Sequence, residues 1–206
     1  SNPAAAADSG AALQVDPTWP KELPQKWLLG TVIGMAVDAR DHIWVIHRPG
    51  SLSAGERGAE AKPPTSECCV AAPPVLEFDQ AGNVVNSWGG KGAGYDWPGS
   101  EHGIYVDQKD NIWVGGNGEK DGVVLKFSRE GKFLLQIGGL GATTGSNDLK
   151  IMGAPADITV NAAANEVIVA DGYRNRRVIV FDADTGAYKR HFGAYGKPPV
   201  DGALPP

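Results

Sequence analysis

The chain of 206 residues is short of cysteine and of positive charge, and it has no long apolar run. No stretch of 18 or more apolar residues occurs, so we expect no membrane-spanning helix. The formal net charge of −5 lacks the positive surplus that attracts nucleic acid, and we expect no nucleic-acid partner. The only cysteines, Cys68 and Cys69, are neighbours, which does not match the spacing of zinc ligands. They form a strained disulfide, remain two thiols, or pair with groups outside this chain.

Glycine and proline are plentiful, with 28 and 15 residues. This share is below the level typical of disorder but high enough to imply many turns, and therefore many short strands rather than helices. Residues 1–16 are small, polar and rich in alanine, without the basic and apolar regions of a signal peptide. They resemble the flexible start of a mature exported protein, so we expect a secreted or periplasmic location.

Three segments of the sequence can be aligned with one another: GMAVDARDHIWVIH, GIYVDQKDNIWVGG and DITVNAAANEVIVAD. Each is followed by a second similar segment: PVLEFDQAGNVVNSWGG, VVLKFSREGKFLLQIGG and RVIVFDADTGAYKRHFG. Three sets of residues occupy equivalent positions in the units: Val37, Val106 and Val160; Phe78, Phe127 and Phe181; Gly82, Gly131 and Gly186. Alternating apolar residues, turn residues and a repeat of 54 residues between the last two units are typical of four-stranded propeller blades.

The sequence therefore predicts an all-β propeller fold over residues 17–196. The three blades are expected at about 30–90, 98–139 and 152–193, with a loop insertion at 49–73 in the first blade. Residues 197–206 are rich in proline and glycine and are predicted to be a connector. The alternative fold is an unrelated β-sandwich in which the repeat arises by chance.

The number of units raises the question of how the ring closes. Natural propellers have about four to eight blades, and an incomplete ring exposes the apolar faces of its first and last blades. Further blades of a longer protein, a second copy of the chain, or the N-terminal segment with Trp19 and Trp27 would each cover such a face. We expect the first solution, in a ring of six blades.

Polar residues that interrupt the repeat are the candidates for a functional site. In a propeller the innermost strands line a central channel, and loops at one rim gather above it. Arg48 follows a strand of the first unit, His102 precedes the inner strand of the second, and Tyr173 lies in a turn of the third. His191 is on an outer strand, while His47 alternates away from Arg48 and is predicted to pack within its blade.

The segments VIHRPG, EHGIYVDQKDNIWV and VADGYRNRRVIVFD, in this order, resemble the catalytic core of peptidyl-α-hydroxyglycine α-amidating lyase. They are also similar to bacterial secreted NHL-repeat proteins described as lyase-like. The resemblance covers about residues 17–196 and implies blades of the NHL type. It further implies cleavage of a C-terminal α-hydroxyglycine carbinolamide to a peptide amide and glyoxylate, with a small peptide-like substrate.

The resemblance also implies roles for individual residues. Arg48 would contribute to the substrate site, Tyr173 would abstract a proton, and His102 would be a zinc ligand. The backbone carbonyls of Met35 and Ile104 would bind a structural calcium ion. The family's two further zinc histidines come from later blades, and this sequence stops before them.

The lyase reaction requires residues of these types. The carbinolamide hydroxyl is a poor acid, and Zn²⁺ with an open coordination position would stabilise the alkoxide. A tyrosine, whose unperturbed pKa is about 10, acts as a base only when a nearby cation lowers that pKa. Arg48 is the candidate cation, or it holds the substrate carboxylate through two hydrogen bonds.

The sequence departs from the family beside Tyr173. The family usually has a disulfide-bonded cysteine directly after this tyrosine, whereas Arg174 stands here. A non-catalytic propeller that binds a protein or another ligand at the same rim is therefore the alternative function. A propeller hydrolase of small esters would need a ring of acidic and amide metal ligands, of which the sequence gives no clear sign.

Overall fold

The computed structural model describes residues 14–202. Residues 1–13, which belong to the segment expected to be flexible, and residues 203–206 of the predicted connector lie outside the described residues. Helical structure in the described part is limited to single 3₁₀ turns at Pro24–Lys26, Pro49–Ser51, Gly58–Glu60 and Ala194–Gly196. No helix in that part is long and apolar enough to cross a membrane.

Twelve strands form three antiparallel sheets of four strands each, which we call blades one, two and three. Blade one contains β2 (Thr31–Val37), β3 (Ile43–Arg48), β5 (Val75–Phe78) and β6 (Val84–Trp88). Blade two contains β7 (Glu101–Val106), β8 (Ile112–Gly116), β9 (Asp121–Phe127) and β10 (Phe133–Leu140). Blade three contains β11 (Asp157–Asn161), β12 (Glu166–Asp171), β13 (Arg177–Asp182) and β14 (Tyr188–Phe192). Two short strands outside the blades, β1 (Trp27–Leu28) and β4 (Val70–Ala71), pair in parallel.

Each blade is a meander whose first strand is innermost, because the strands pair in chain order. Strand β7 contacts both β2 and β11, so the innermost strands of the three blades lie side by side. This arrangement is that of propeller blades, and the predicted all-β fold of four-stranded antiparallel blades is confirmed. A single β-sandwich, the alternative fold, is wrong.

The first turns of blades one and two are each held by an aspartate at the end of the innermost strand. Asp38 Oδ1 accepts hydrogen bonds from the backbone amides of Arg40 and His42, and Asp107 binds its own turn in the same way. The left-handed positions of these two turns hold Asp41 and Asp110, residue types that tolerate a positive φ better than most others. The other carboxylate oxygen of each turn aspartate accepts the indole N–H of the tryptophan six residues later, at 3.0 and 2.9 Å.

Apolar side chains fill both gaps between neighbouring blades. Trp44 and Val75 of blade one pack with Val114 and Leu125 of blade two, all at 0% exposure. A second core joins blades two and three in the same manner, and its fully buried members are Trp113, Val124, Val167 and Val169. The central strands of blade two, β8 and β9, therefore pack on apolar neighbours on both faces.

The outer face of blade one is covered by the segment that precedes it. Trp19, Leu23, Trp27 and Leu29 pack on a buried cluster of blade-one side chains that includes Phe78. The rings of Trp19 and Phe78 lie 5.6 Å apart. We call residues 19–30 the cap. Of the three ways to cover an end face, the structure shows the N-terminal one for blade one.

The insertion at 49–73 runs beside the cap and is joined to it. Strand β4 of the insertion pairs with β1 of the cap, and the backbone amide of Ala72 donates to the carbonyl of Leu28 at 2.9 Å. The sulfurs of Cys68 and Cys69 form a disulfide. Of the sequence alternatives for these two cysteines, the structure contains the disulfide between neighbours.

Candidate functional site

Arg48 reaches from the end of β3 across to blade two. Its Nε donates to the backbone carbonyl of Glu101 at 3.0 Å, and its Nη2 donates to Asn117 Oδ1 at 3.0 Å. A strand with four consecutive buried residues thus ends in a half-buried arginine because this end emerges at a rim shared by two blades. The side chain is fixed by two groups of blade two before any ligand binds.

His102 and Tyr173 come together from blades two and three. His102 is the second residue of β7, and Tyr173 lies in the loop that follows β12. The Tyr173 hydroxyl lies 3.1 Å from His102 Nε2, and the two rings meet edge to face with centroids 5.3 Å apart. Tyr173 is 55% exposed, so its hydroxyl group is on the accessible side of the pair.

The surroundings of His102 favour its neutral form. Burial lowers the pKa of His102, the charge of Arg48 lowers it further, and Asp157 opposes both effects. One ring nitrogen of the neutral imidazole therefore carries a hydrogen and the other carries a lone pair. Nε2 faces Tyr173, whereas Nδ1 is buried and has no hydrogen-bond partner within residues 14–202.

The turn that carries Tyr173 is fixed from two sides. Arg174 donates from Nη1 to the backbone carbonyls of Gly118 and Glu119 in blade two, at 2.9 and 3.0 Å. Beneath the turn, the fully buried carboxylate of Asp171 accepts from Arg177 Nε at 2.8 Å. Arg174, which stands where the resembled family has a disulfide-bonded cysteine, therefore ties the turn to the neighbouring blade, a contact that the sequence analysis did not predict.

The structure thus brings Arg48, His102 and Tyr173 to one rim, each from a different blade. We call this group the rim triad. Met35 and Ile104, the predicted calcium ligands, lie on the adjacent inner strands β2 and β7. These strands approach closely, since a Cβ on Gly34 would lie 3.4 Å from the Ile104 amide nitrogen.

The other histidines are engaged elsewhere. His191 lies on the outermost strand β14, where its Nδ1 is 2.8 Å from the Tyr188 hydroxyl. His47 is fully buried, as its packing prediction requires: its Nδ1 accepts the Gly30 amide at 3.0 Å, and its Nε2 lies 3.0 Å from the Pro73 carbonyl. His47 therefore joins the cap and the insertion to blade one.

One cluster in the described part has the residue types of a metal site. Asp38, His42 and Glu77 offer ligand atoms within 4.8 Å of one another. The guanidinium of Arg129, from blade two, binds both carboxylates, at 2.7 Å for Asp38, and stacks over Trp44 at 5.2 Å. The positive charge at this position is the arginine, and the cluster acts as a buried ionic link between blades one and two.

Comparisons with known proteins give only a general likeness. No family model matches the sequence, and no curated protein matches it. Virginiamycin B lyase from Staphylococcus aureus is 12% identical, with a TM-score of 0.48 over 82% of this chain and 43% of that chain. A protein of unknown function from Bacteroides caccae is 14% identical, with a TM-score of 0.48 over 79% of this chain and 46% of that one.

A streptogramin B lyase structure is similar at the same low level, with 14% identity and a TM-score of 0.41 over 81% of this chain and 56% of that chain. The chain spans about half the length of these solved structures. At this level the similarity says nothing about the chemistry of the rim triad.

Proposed function

We propose that the rim triad is an amidating-lyase-like site that cleaves a C-terminal α-hydroxyglycine carbinolamide to a peptide amide and glyoxylate. The observation that carries the proposal is the contact of 3.1 Å between the Tyr173 hydroxyl and His102 Nε2. It joins two residues that the sequence resemblance assigns to the same reaction but that are 71 positions apart. Arg48 lies on the same rim and acts on the His102 pKa.

The Tyr173–His102 pair provides a path for the proton. When Nε2 of neutral His102 carries the lone pair, it accepts the Tyr173 hydroxyl hydrogen, and the phenol oxygen then accepts the proton of the carbinol hydroxyl. As the carbon–oxygen double bond forms, the C–N bond breaks and its electron pair moves to the amide nitrogen. The proton returns through Tyr173 to that nitrogen, so the reaction needs no oxidant or water.

Arg48 is suited to hold the carboxylate of the substrate. A guanidinium has five N–H donors, and two of the Arg48 nitrogens are engaged by Glu101 and Asn117. The remaining donors would bind a carboxylate in a charge-assisted pair. A fixed guanidinium of this kind orients the carbinol carbon against Tyr173 without losing much side-chain entropy on binding.

Zinc and calcium remain proposals. The buried Nδ1 of His102, which lacks a hydrogen-bond partner in the described part, fits a metal ligand in the tautomer that carries its hydrogen on Nε2, so a zinc-bound His102 would donate to the Tyr173 oxygen and would not use the proton path through Nε2. Bound zinc would supply Lewis-acid stabilisation of the alkoxide. His102 is one ligand, and a zinc site needs three or more, so the others would come from further blades of a longer protein or from a second copy of the chain. The carbonyls of Met35 and Ile104 would hold calcium.

The test is turnover of N-benzoyl-α-hydroxyglycine by the purified protein, supplied with zinc and calcium, with glyoxylate and benzamide as the measured products. We expect Tyr173→Phe and His102→Ala each to lower the rate by about 100-fold. The matched controls are Tyr188→Phe and His191→Ala, because this tyrosine–histidine pair has a similar contact on an outer strand. Absence of glyoxylate with the unmodified protein, or equal losses in the control variants, would refute the proposal.

The alternative is a propeller that binds a ligand at the same rim without chemistry. It predicts that benzamide or a peptide amide binds and that Tyr173→Phe weakens this binding, with no glyoxylate formed under any metal condition. Calorimetric titration of the amide beside the turnover assay separates the two functions.

A further inference from the structure

A cleft of about 910 Å³ opens beside the rim, between the insertion and the segment that joins blades one and two. Cavities of roughly 300–1,000 Å³ are typical of small-molecule sites. Arg57 and Glu60 of the insertion line one side, and Lys91 and Trp97 of the joining segment line the other. Most of its walls come from two stretches outside the repeated blade pattern, and Arg48 and Glu101 contribute from the ends of blade strands.

Three cations, Arg48, Arg57 and Lys91, and two carboxylates, Glu60 and Glu101, line the cleft. Of the two lining carboxylates, Glu60 accepts the Ala71 amide at 2.5 Å and Glu101 accepts the Trp97 indole at 2.9 Å. Both acids are therefore engaged by neutral N–H groups.

Neither Arg57 nor Lys91 forms a hydrogen-bonded pair with an acid of the described part, although Arg57 lies near Glu60. The Nε of Arg57 is buried and has no hydrogen-bond partner among residues 14–202, and the nearest approach of its guanidinium to Glu60 is 3.6 Å. Lys91 is exposed and pairs with no carboxylate of the described part. A buried donor without an acceptor is costly, and a ligand that supplies an acceptor removes this cost.

The rest of the lining is mainly apolar or glycine, with Ser51 and Ser100 as its polar side chains. Four prolines contribute to it, and Trp97, which is only 6% exposed, presents the edge of an aromatic core at its base. The lining prolines are Pro49, Pro73, Pro74 and Pro98. Apolar walls with a few convergent polar groups are typical of sites that bind one small molecule.

We propose that this cleft binds a small organic carboxylate with an apolar body. The carboxylate accepts hydrogen bonds from Arg57 and is neutralised further by Lys91, while the apolar body lies against Trp97 and the prolines. Arg48 of the rim triad also lines the cleft, with its Nε and Nη2 engaged by Glu101 and Asn117, but the proposed carboxylate site uses Arg57 and Lys91, which are not in the triad, and needs no chemistry there. Its failure and the failure of the lyase proposal are therefore separate results.

The test is calorimetric titration of the intact protein with 3-phenylpropionate and with its neutral isostere 3-phenylpropionamide. We expect the acid to bind at least tenfold more tightly than the amide, because only the acid satisfies the two cations. Arg57→Gln should weaken binding of the acid about tenfold, as expected for loss of a charge-assisted hydrogen bond. Lys91→Gln should weaken it about threefold, since an exposed lysine contributes less.

Lys150→Gln is the matched control, because Lys150 is also exposed and lies outside the cleft lining. It should leave the affinity unchanged. Because Arg57 is partly buried, its variant is compared only after circular dichroism shows the same fold, and the exposed Lys91 provides an independent measurement. No binding of the acid up to about 10 mM, equal binding of acid and amide, or unchanged affinity in both cleft variants would overturn the proposal.

Discussion

The two end faces of the blade array are unlike each other. The end face of blade one is covered by the cap, whose Trp19 and Trp27 pack on its apolar side chains. The end face of blade three has no such cover in the described part, and Ile168 and Val178 on it are only half-buried. Within residues 14–202, the chain therefore provides a substitute for a neighbouring blade at the end face of blade one and not at that of blade three.

The residue before the aligned phenylalanine of each blade also differs between the covered and the uncovered faces. Glu77 of blade one binds Arg129 of blade two, and Lys126 of blade two donates to the Ala183 carbonyl of blade three. The corresponding residue of blade three is Val180. The residue at this position is charged in blades one and two, where it contacts the next blade. It is apolar in blade three, where the described part contains no next blade. Further blades or a second copy of the chain on this face remain our prediction.

The largest effect is expected from Arg129→Met. This change leaves Glu77 and Asp38 buried without the guanidinium that joins them, and breaking a buried ion pair costs about 3–5 kcal/mol. Urea denaturation measures the loss of unfolding free energy. Arg40→Met removes an ion pair whose arginine is 56% exposed and should cost less than about 1 kcal/mol. Similar losses of unfolding free energy in the two variants would show that the buried Arg129 link stabilises the protein no more than an exposed ion pair does.

The cap is tested by Trp27→Ala. Removing this half-buried ring should cost about 2–3 kcal/mol, less than a fully buried tryptophan, and should expose apolar surface of blade one. Unfolding free energy and the fluorescence of a bound apolar dye are the measurements. Tyr195→Ala is the control, because that side chain is 99% exposed. A cap that does not protect blade one would leave dye binding unchanged.

The attachment of the cap is expected to depend on pH through His47. Burial lowers the pKa of His47, and hydrogen bonds to the carbonyls of Pro73 and Ala72 only partly oppose this. Because the unfolded chain, with a histidine pKa of about 6.5, binds the proton more readily, the contribution of His47 to stability is complete above pH 6.5. It is lost as the pH falls from there toward the lowered folded pKa.

Nδ1 of His47 accepts a hydrogen bond from the Gly30 amide. Protonation would place a hydrogen on Nδ1, so the two N–H groups would face each other and this hydrogen bond would be lost. The protection factor of the Gly30 amide, its exchange relative to the intrinsic rate at the same pH, should therefore fall between pH 7 and pH 5, and the unfolding free energy should fall over the same range. His47→Gln should reduce this pH dependence. If the variant keeps the full dependence, another group is responsible.

The smallest effect is expected from Ile168→Ala on the open face. We expect a loss below about 1 kcal/mol, because the side chain is already partly in water. Val169→Ala, on the buried face of the same strand at 0% exposure, should cost about 2 kcal/mol. Equal losses measured by denaturation would mean that the open face is covered in solution.

The blades could be predicted from sequence because their signal is periodic. Val37, Val106 and Val160 recur with the same turn residues, and alternation fixes which side of each strand is apolar. The gathering of Arg48, His102 and Tyr173 followed from the same topology, since equivalent rims of successive blades meet.

The contacts that sequence reasoning missed have no periodic signal. Arg129 binds across 52 positions to Glu77, and nothing in its own turn distinguishes it from a solvated arginine. The cap was one of three alternatives, because two tryptophans in a loop do not specify which face they cover. The cleft depends on where the insertion folds back, which is set by the pairing of β1 with β4 rather than by local propensity.

The order of the strands in each blade has a consequence for how the chain folds. Blades two and three are built from strands joined by short turns, so their assembly requires only the closure of small loops. Blade one must close the long insertion between β3 and β5 and then bind the cap, and long closures cost more entropy. We expect blade one, although synthesised first, to acquire its native contacts last.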